Sequence, residues 1–371
     1  LADDFMLSKF QVGLLPSAFF LGQLLISLPA GFLTDRYGSR TMMLVLIVIL
    51  GTSVSSMALM WQFELLLLFV FLAGLSYGFI HPVTNRGIIY WFPAENRGTA
   101  MGIKQMGVTA GSALSVVILL PLAVEWGWRN TLFISVLILF VIGFASYLFY
   151  RDTSAANVHM HVGLTTCFSS IGQLLKEKPL LLVTFSAMGL NAIQMTVNTY
   201  LIFYVHEQLK FTLFIAGSLL LLSELSGAVG RIAWGVISDH FFDGRRLIIL
   251  LILAILSLLG CLLMAFMLKG SVLWLLVLAT IFLGLSVSGF NGIWMNVATE
   301  SVSREKAGLV SGFSITFGSF GVVLGPPIFG FILETTQSYL VAWLLLGGLS
   351  ILVFLFTLWA GVLYKKAELN M

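Results

Sequence analysis

Long apolar stretches alternate with short polar connections along the whole chain. Crossing the hydrocarbon core of a bilayer, about 30 Å thick, takes roughly 20 apolar residues in a helix. Eleven stretches reach that length, near 11–33, 41–60, 64–91, 98–124, 129–150, 179–205, 212–238, 247–268, 272–298, 308–333 and 338–364. Because backbone groups inside lipid must be hydrogen-bonded within the protein, we predict an all-α polytopic membrane protein. Strands as spans would need alternating ten-residue segments instead.

The composition favours the same class. Of 371 residues, 59% are hydrophobic and 9% are charged, whereas a soluble domain has about 25% charged residues. This leaves too little polar surface for a soluble enzyme, a disordered chain or a nucleic-acid-binding protein. Cys167 and Cys261 lack metal-ligand spacing, and His159 and His161 form a loop pair without a helix-spaced partner. We therefore expect no metal site, no cofactor and no enzymatic activity.

One long connector, 151–178, separates five predicted spans from six. It predicts an N-terminal bundle over 1–150, a cytoplasmic linker over 151–178 and a C-terminal bundle over 179–371. Apolar residues recur at helical spacing in the linker and predict an interfacial amphipathic helix. They are Leu164, Phe168, Ile171, Leu174 and Leu175.

The distribution of basic residues predicts the orientation. With the linker in the cytoplasm, the inner loops and tail hold twelve Lys and Arg residues and the outer loops hold four. Such a bias follows the positive-inside rule. We expect a multi-pass protein of the plasma (inner) membrane, a monomer, with its C-terminus in the cytoplasm.

The two halves contain matching segments. GFLTDRYGSR (31–40) and GVISDHFFDGRR (235–246) both read Gly, two residues, Ser or Thr, Asp, then arginines. RGTAMGI (97–103) and KAGLVSGF (306–313) share two glycines. One span precedes the repeated block in the second half and none precedes it in the first, so we expect one helix to be missing before Leu1. Parallel repeats of this kind are typical of transporters.

The first repeated segment resembles the cytoplasmic loop motif of the major facilitator superfamily through Gly31, Asp35, Arg36, Gly38 and Arg40. The resemblance covers the whole chain. It implies two pseudo-symmetric six-helix bundles that rock around a midplane site, with this chain beginning after the first helix.

A cytoplasmic gate follows from the same motif. Asp35 is expected to accept hydrogen bonds from the N-terminus of a neighbouring helix or from Arg97, and Asp239 is expected to act alike in the second half. Such bonds would hold the inner end shut. The alternative is that the arginines only obey the positive-inside rule and cap helices.

Four charged residues fall inside predicted spans: Arg86, Lys104, Glu224 and Arg231. Each costs roughly 2.5–3.5 kcal/mol at a helix centre unless it faces a cavity or a partner. Three cations against one carboxylate leave a positive interior. An anionic substrate is the simplest complement.

Glu224 and Arg231 share one predicted helix. Glu224 lies about 22 Å along the axis from Asp239, near the midplane, and burial favours the neutral form of a carboxyl group. It is a candidate proton carrier, or else a neutral residue bonding a neighbouring helix. Seven residues on, Arg231 lies on the same face within GRIAWGVISD (230–239).

That stretch resembles the eighth helix of carboxylate carriers related to oxalate:formate and monocarboxylate transporters, where an arginine binds carboxylate. Those oxalate carriers also use a lysine on the eleventh helix, which span 308–333 lacks. The alternative role for Arg231 is to brace the inner gate.

Arg86 lies in PVTNRGIIYWFP (82–93), which resembles helix 4 of the anion:cation symporter branch, whose members carry organic anions with protons or sodium. Lys104 lies about 10 Å into the following span. Both are candidate ligands of the anion. Both side chains are also long enough to snorkel to the interface.

Neutral polar residues at helical spacing predict a polar lining. Three groups qualify: Asn191, Gln194 and Asn198; Asn291 and Trp294; and His81, between Tyr77 and Asn85 on the Arg86 helix. Interhelical amide bonds contribute about 0.6 kcal/mol on average, so the alternative for any one of them is ordinary helix packing.

Together these features predict a secondary active transporter for a small organic anion, a carboxylate, that works by alternating access and is coupled to protons, or to sodium, with Glu224 as the proton carrier. A proton-driven drug or metabolite exporter is the alternative within this class. A non-transporting membrane receptor or scaffold is the alternative outside it, because fold alone does not decide function.

Overall fold

The computed structural model describes residues 2, 4–93, 100, 103–104, 107, 110–112, 114–152, 174–270, 272–300 and 307–369. Every regular element in these ranges is helical, as the apolar pattern predicts. Ten of these helices are long and apolar enough to cross a membrane. The predicted span 98–124 is described only in part, and most of the predicted linker helix lies outside the described residues, so the eleventh span, the linker helix and the missing first helix stay predictions.

Two compact units divide the chain. Unit 1 is Leu1–Leu7 with Leu14–His161, and unit 2 is Ser8–Gly13 with Val162–Met371. Unit 1 contains most of α1 (Lys9–Leu59), then α2 (Phe63–Tyr77), α3 (Ile80–Trp91), a π-helical turn (Ser115–Leu119), α4 (Leu120–Trp126) and α5 (Trp128–Phe149).

Unit 2 begins, after the linker, with the largely buried helix α6 (Lys178–Phe203). It continues with a π-helical turn (Tyr204–Gln208), α7 (Leu213–Phe241), α8 (Arg246–Ala265), α9 (Leu273–Leu283), a further π-helical turn (Gly284–Ser288), α10 (Asn291–Glu300), α11 (Ala307–Thr336) and α12 (Tyr339–Leu369). Helix α6 packs against α11 and α12, and α7 packs against the Gly284–Ser288 turn. These neighbours bring the polar residues of α6 and α7 to that turn.

The predicted inner loop over 31–40 is wrong in detail. Helical structure runs from Lys9 to Leu59 and breaks only at Gly38, whose φ of 85° and ψ of 158° are non-helical. Glycine suits this position because a positive φ strains other residues. A Cβ at residue 38 would also overlap the carboxylate of Asp152. The two spans predicted near 11–33 and 41–60 are therefore joined by a one-residue break.

Candidate functional site

Glu224 is a buried carboxylate with a neutral partner. The residue is 7% exposed on α7, and its Oε1 accepts a hydrogen bond of 2.9 Å from Nδ2 of Asn198 on α6. Among the described residues, Oδ1 of Asn198 and Oγ of the adjacent Ser223 are buried without a hydrogen-bond partner. Two polar atoms beside Glu224 are thus available to a ligand or water.

Arg231 lies two turns further along α7, about 10.5 Å from Glu224 along the helix axis. Its side chain is half-buried, and its Nε donates a hydrogen bond of 3.0 Å to the carbonyl of Ser288. That is the only hydrogen bond of Arg231 within the described ranges. Both terminal amino groups of the guanidinium therefore keep their donors, in electrostatic range of Glu224.

The predicted amide stripe on α6 forms, and its three members reach different elements. Asn191 donates to the carbonyl of Gly318 on α11 at 3.2 Å, and Gln194 donates to Oγ of Ser288 at 3.4 Å. Asn198 meets Glu224. Gln194 and Asn198 thus lie with the charged pair, whereas the Asn191 amide is used in packing against α11.

The second predicted stripe lies on α10. Trp294 is 5% exposed and stacks on Phe290 with ring centroids 5.8 Å apart. Its Nε1 is buried and has no acceptor in the part of the chain that the structure describes. Asn291 is half-buried one turn earlier. The buried indole N–H of Trp294 is a donor that a ligand could use.

Unit 1 holds a separate cluster around Lys104. The Lys104 Nζ donates to Oδ1 of Asn85 at 2.6 Å and lies 3.2 Å from Nδ1 of His81. No carboxylate within the described ranges lies in ion-pair distance of it. Lys104 also borders a cavity of about 930 Å³ with mainly apolar walls. The predicted residues His81 and Lys104 are therefore brought together, and the cation is uncompensated by a carboxylate there.

The guanidinium of Arg86 bonds a backbone carbonyl of its own unit. The residue is 8% exposed. Its Nη1 donates to the carbonyl of Thr34, and the guanidinium lies 5.4 Å from the Tyr90 ring centroid. These contacts brace α3 against α1. A role of Arg86 as an anion ligand stays a prediction.

Gate residues of unit 1 surround the break in α1. Arg40 donates from Nε to the Tyr147 carbonyl at 3.2 Å, and its guanidinium lies 4.6 Å from the Tyr147 ring. Arg36 is exposed and lies 5.3 Å from the Tyr37 ring centroid. A Cβ added at Gly31 would meet nothing within 4 Å. The side chain of Asp35 and all of Arg97 lie outside the described residues.

The helix N-terminus after the break is capped by Asp152. The backbone N–H groups of Ser39 and Arg40 each donate to its carboxylate at 3.1 Å. A carboxylate there pairs with otherwise unbonded N–H groups and with the positive end of the helix dipole. This is the interaction that the sequence predicts for Asp35. Asp152 was missed, although its place directly after a span is a usable signal.

Asp239, the predicted gate residue of unit 2, has a local partner. Its Oδ1 lies 3.9 Å from Nη2 of Arg246 across the connection between α7 and α8. Exposed pairs of this kind contribute about 0–1 kcal/mol. The pair therefore orders the turn more than it stabilises the unit.

Comparisons with known proteins agree with this architecture. The model of the Major Facilitator Superfamily matches residues 1–314 and 243–370. The chain is similar over 95% of its length to the crystal structure of a mutant of the nucleoside transporter NupG, with a TM-score of 0.80, 18% identity and 91% of that chain covered.

Curated relatives are similar along nearly the whole chain. The hexuronate transporter of Bacillus subtilis is 24% identical over 363 residues, covering 94% of this chain and 85% of the relative. The probable galactarate/D-glucarate transporter GarP of Escherichia coli is 25% identical over 380 residues, with 93% and 85% covered. Both relatives are named as transporters, and both names specify organic anions.

Proposed function

The chain belongs to the Major Facilitator Superfamily, and from that premise we propose that it moves a small organic carboxylate across the membrane together with protons. Membership confirms the fold class predicted from the sequence and makes the chain a multi-pass membrane transporter rather than an enzyme. What remains is to assign the substrate, the coupling ion and the residues that handle them.

One observation carries the proposal: among the described residues, the two terminal amino groups of Arg231 have no hydrogen-bond partner, and the buried Glu224 lies two turns away on the same helix. A planar guanidinium can give two parallel hydrogen bonds to the two oxygens of a carboxylate. A cation within a membrane span is costly unless it has an anionic partner. A transported carboxylate supplies that partner.

Charge balance couples the anion to a proton. Ionised Glu224 and Arg231 together are neutral, so binding an anion leaves one excess negative charge in a medium of low dielectric constant. Protonation of Glu224 removes that excess. Asn198 bonds Glu224 and so holds the carboxyl group in place, while the free Asn198 Oδ1 and Ser223 Oγ can accept or relay hydrogen bonds.

Neutral donors and acceptors of unit 2 suit a hydroxylated anion. Gln194, Asn198 and the Trp294 indole offer hydrogen-bonding groups that hydroxyls can satisfy. The relatives named for hexuronate and for galactarate and D-glucarate favour the same substrate class. We therefore take D-glucuronate as the probe substrate.

The remaining predicted residues take supporting roles in this proposal. Lys104, held by His81 and Asn85, is a second cation available to the anion within unit 1. Arg40 with Asp152, and Asp239 with Arg246, order the cytoplasmic ends of their own units.

Uptake by liposomes tests the proposal. Purified protein in liposomes with an alkaline interior is expected to accumulate labelled D-glucuronate above the external concentration, because inward proton flow drives the anion. Without the pH gradient only equilibration is expected. Accumulation that requires a sodium gradient instead would make sodium, rather than the proton, the coupling ion. The absence of any uptake above that of protein-free liposomes would reject transport of this anion.

A further inference from the structure

The π-helical turn Gly284–Ser288 presents backbone carbonyls to α7. In a π-helical turn the hydrogen bonds run from i to i+5, which disturbs the ordinary α-helical pairing of carbonyls. The carbonyl of Leu285 accepts a hydrogen bond of 2.8 Å from Nε1 of Trp234. The carbonyl of Ser288 accepts the 3.0 Å bond from Nε of Arg231. The two donors, Arg231 and Trp234, are three residues apart, and so are the two accepting carbonyls. Side chains from neighbouring positions on one face of α7 therefore both bond the turn.

Close approach of α7 makes these bonds geometrically accessible. A Cβ added at Gly227 would overlap the Cβ of Ser288. The absence of a side chain at residue 227 therefore sets how near Ser288 lies to α7. On its other side, the Ser288 hydroxyl accepts from Gln194 of α6 at 3.4 Å.

Anchoring Arg231 through Nε has a chemical consequence. An arginine side chain has several rotatable bonds, and an unanchored one samples many orientations of the guanidinium plane. With Nε bonded to a carbonyl, the orientation of the guanidinium is restricted, and the outward-pointing N–H groups of its two terminal nitrogens lie side by side at the far end of the side chain. That is the arrangement needed for two parallel bonds to a carboxylate.

We propose that the Gly284–Ser288 turn is the device that orients Arg231, and that Ser288 is its positioning residue through the backbone carbonyl. This inference rests on the proposed function, in which Arg231 binds the substrate carboxylate. The turn would thus raise the affinity for the anion although it contains no charged residue of its own.

Displacing Ser288 without touching Arg231 tests the inference. In Gly227→Ala the new methyl group pushes Ser288 away, and the dissociation constant for D-glucuronate is expected to rise at least about tenfold, since small misplacements of binding groups are costly. In Gly227→Ala with Ser288→Gly the colliding Cβ is gone while the carbonyl remains. Affinity is expected to return to within about threefold of the Ser288→Gly single variant, as coupled neighbours do.

Gly235→Ala is the matched control, because a Cβ at this position of the same helix would meet nothing within 4 Å. Its affinity and melting temperature are expected to equal those of the wild type or exceed them slightly. If Gly227→Ala does not fold, Trp234→Phe takes its place, since it removes the bond to Leu285 and keeps the ring. Weaker binding by a folded Trp234→Phe supports the inference, and unchanged affinity contradicts it.

Failure of the inference and failure of the proposed function give different results. If Arg231→Ala loses D-glucuronate and folded Gly227→Ala binds like Gly235→Ala, the turn does not position the arginine but the binding role of Arg231 stands. If Gly227→Ala is weak and the double variant stays equally weak, the carbonyl is not the cause and the inference is again overturned. If Arg231→Ala binds like the wild type, the proposed role of Arg231 itself fails.

Discussion

Arg231→Ala is expected to lose saturable binding of D-glucuronate, measured by isothermal titration calorimetry on the purified protein. Removing one partner of a buried, hydrogen-bonded charge pair costs about 2–5 kcal/mol, which corresponds to at least about 30-fold in the dissociation constant. The loss is expected to be large because, in the proposed complex, the guanidinium supplies two donors to the carboxylate at once. Transport in liposomes should fall with binding.

Two further variants separate the bonding geometry of the Arg231 guanidinium from the effect of its positive charge. Arg245→Ala removes an exposed arginine at the start of α8 and is expected to leave the affinity unchanged. Arg231→Lys keeps the charge but not the planar fork, so intermediate affinity is expected. Equal losses in Arg231→Ala and Arg245→Ala would point to a general electrostatic effect and would remove Arg231 from the site.

Glu224→Gln is expected to abolish accumulation of D-glucuronate driven by a pH gradient while retaining exchange of labelled for unlabelled anion. Glutamine resembles the protonated side chain but cannot release a proton. A full charge about 10.5 Å away repels a bound anion by about 1.5 kcal/mol at an effective dielectric constant of about 20. The variant should therefore bind the anion about tenfold more tightly than the ionised wild type, with affinity independent of pH.

Glu125→Gln is the control for this variant, because Glu125 is exposed on α4 and should not affect accumulation. The two liposome assays are run on the same preparations, so that a folding defect shows as a loss of both. Retained accumulation in Glu224→Gln would assign the proton to another group. Loss of exchange together with accumulation would make Glu224 a structural residue of α7.

Much of the fold can be predicted from the apolar pattern, because lipid leaves a chain few choices. The helical spans follow from stretch length alone, while the division at the long connector stays a prediction from loop length. The segment 31–40 shows the limit. Its polar letters predict a loop, yet helical bonding continues to both sides of Gly38, since a single positive φ is enough to turn the chain.

Spacing predicts part of the site. Gln194 and Asn198 share a face with i, i+4 geometry, and both reach the Arg231 and Glu224 region. Ser288 could not be found this way, because it acts through a backbone carbonyl that any residue possesses. The available signal is the recurrence of small residues at Gly284, Ser286, Ser288 and Gly289, although by itself it indicates only close packing.

Depth along a helix does not separate a ligand from a brace. Arg86 and Lys104 are predicted at similar depths, yet Arg86 bonds the Thr34 carbonyl, whereas the side-chain partners of Lys104 among the described residues are Asn85 and His81. Sequence spacing cannot give this difference, since it depends on which neighbouring helix each side chain faces. The surroundings of a glycine are equally hard to predict from the sequence. Gly227 and Gly235 lie on the same helix, yet a methyl group added at Gly227 would overlap Ser288 and one added at Gly235 would meet nothing within 4 Å.

The claim that cations within the spans select a negatively charged substrate is tested most directly by comparing D-glucuronate with D-glucose, which differs only in having a neutral hydroxymethyl group in place of the carboxylate. Both sugars are titrated calorimetrically into the same wild-type preparation at low salt and at a pH where the acid is ionised. Saturable binding of D-glucuronate with no detectable binding of D-glucose is the expected result. Equal affinity for the two sugars, or binding of D-glucose alone, would contradict the account.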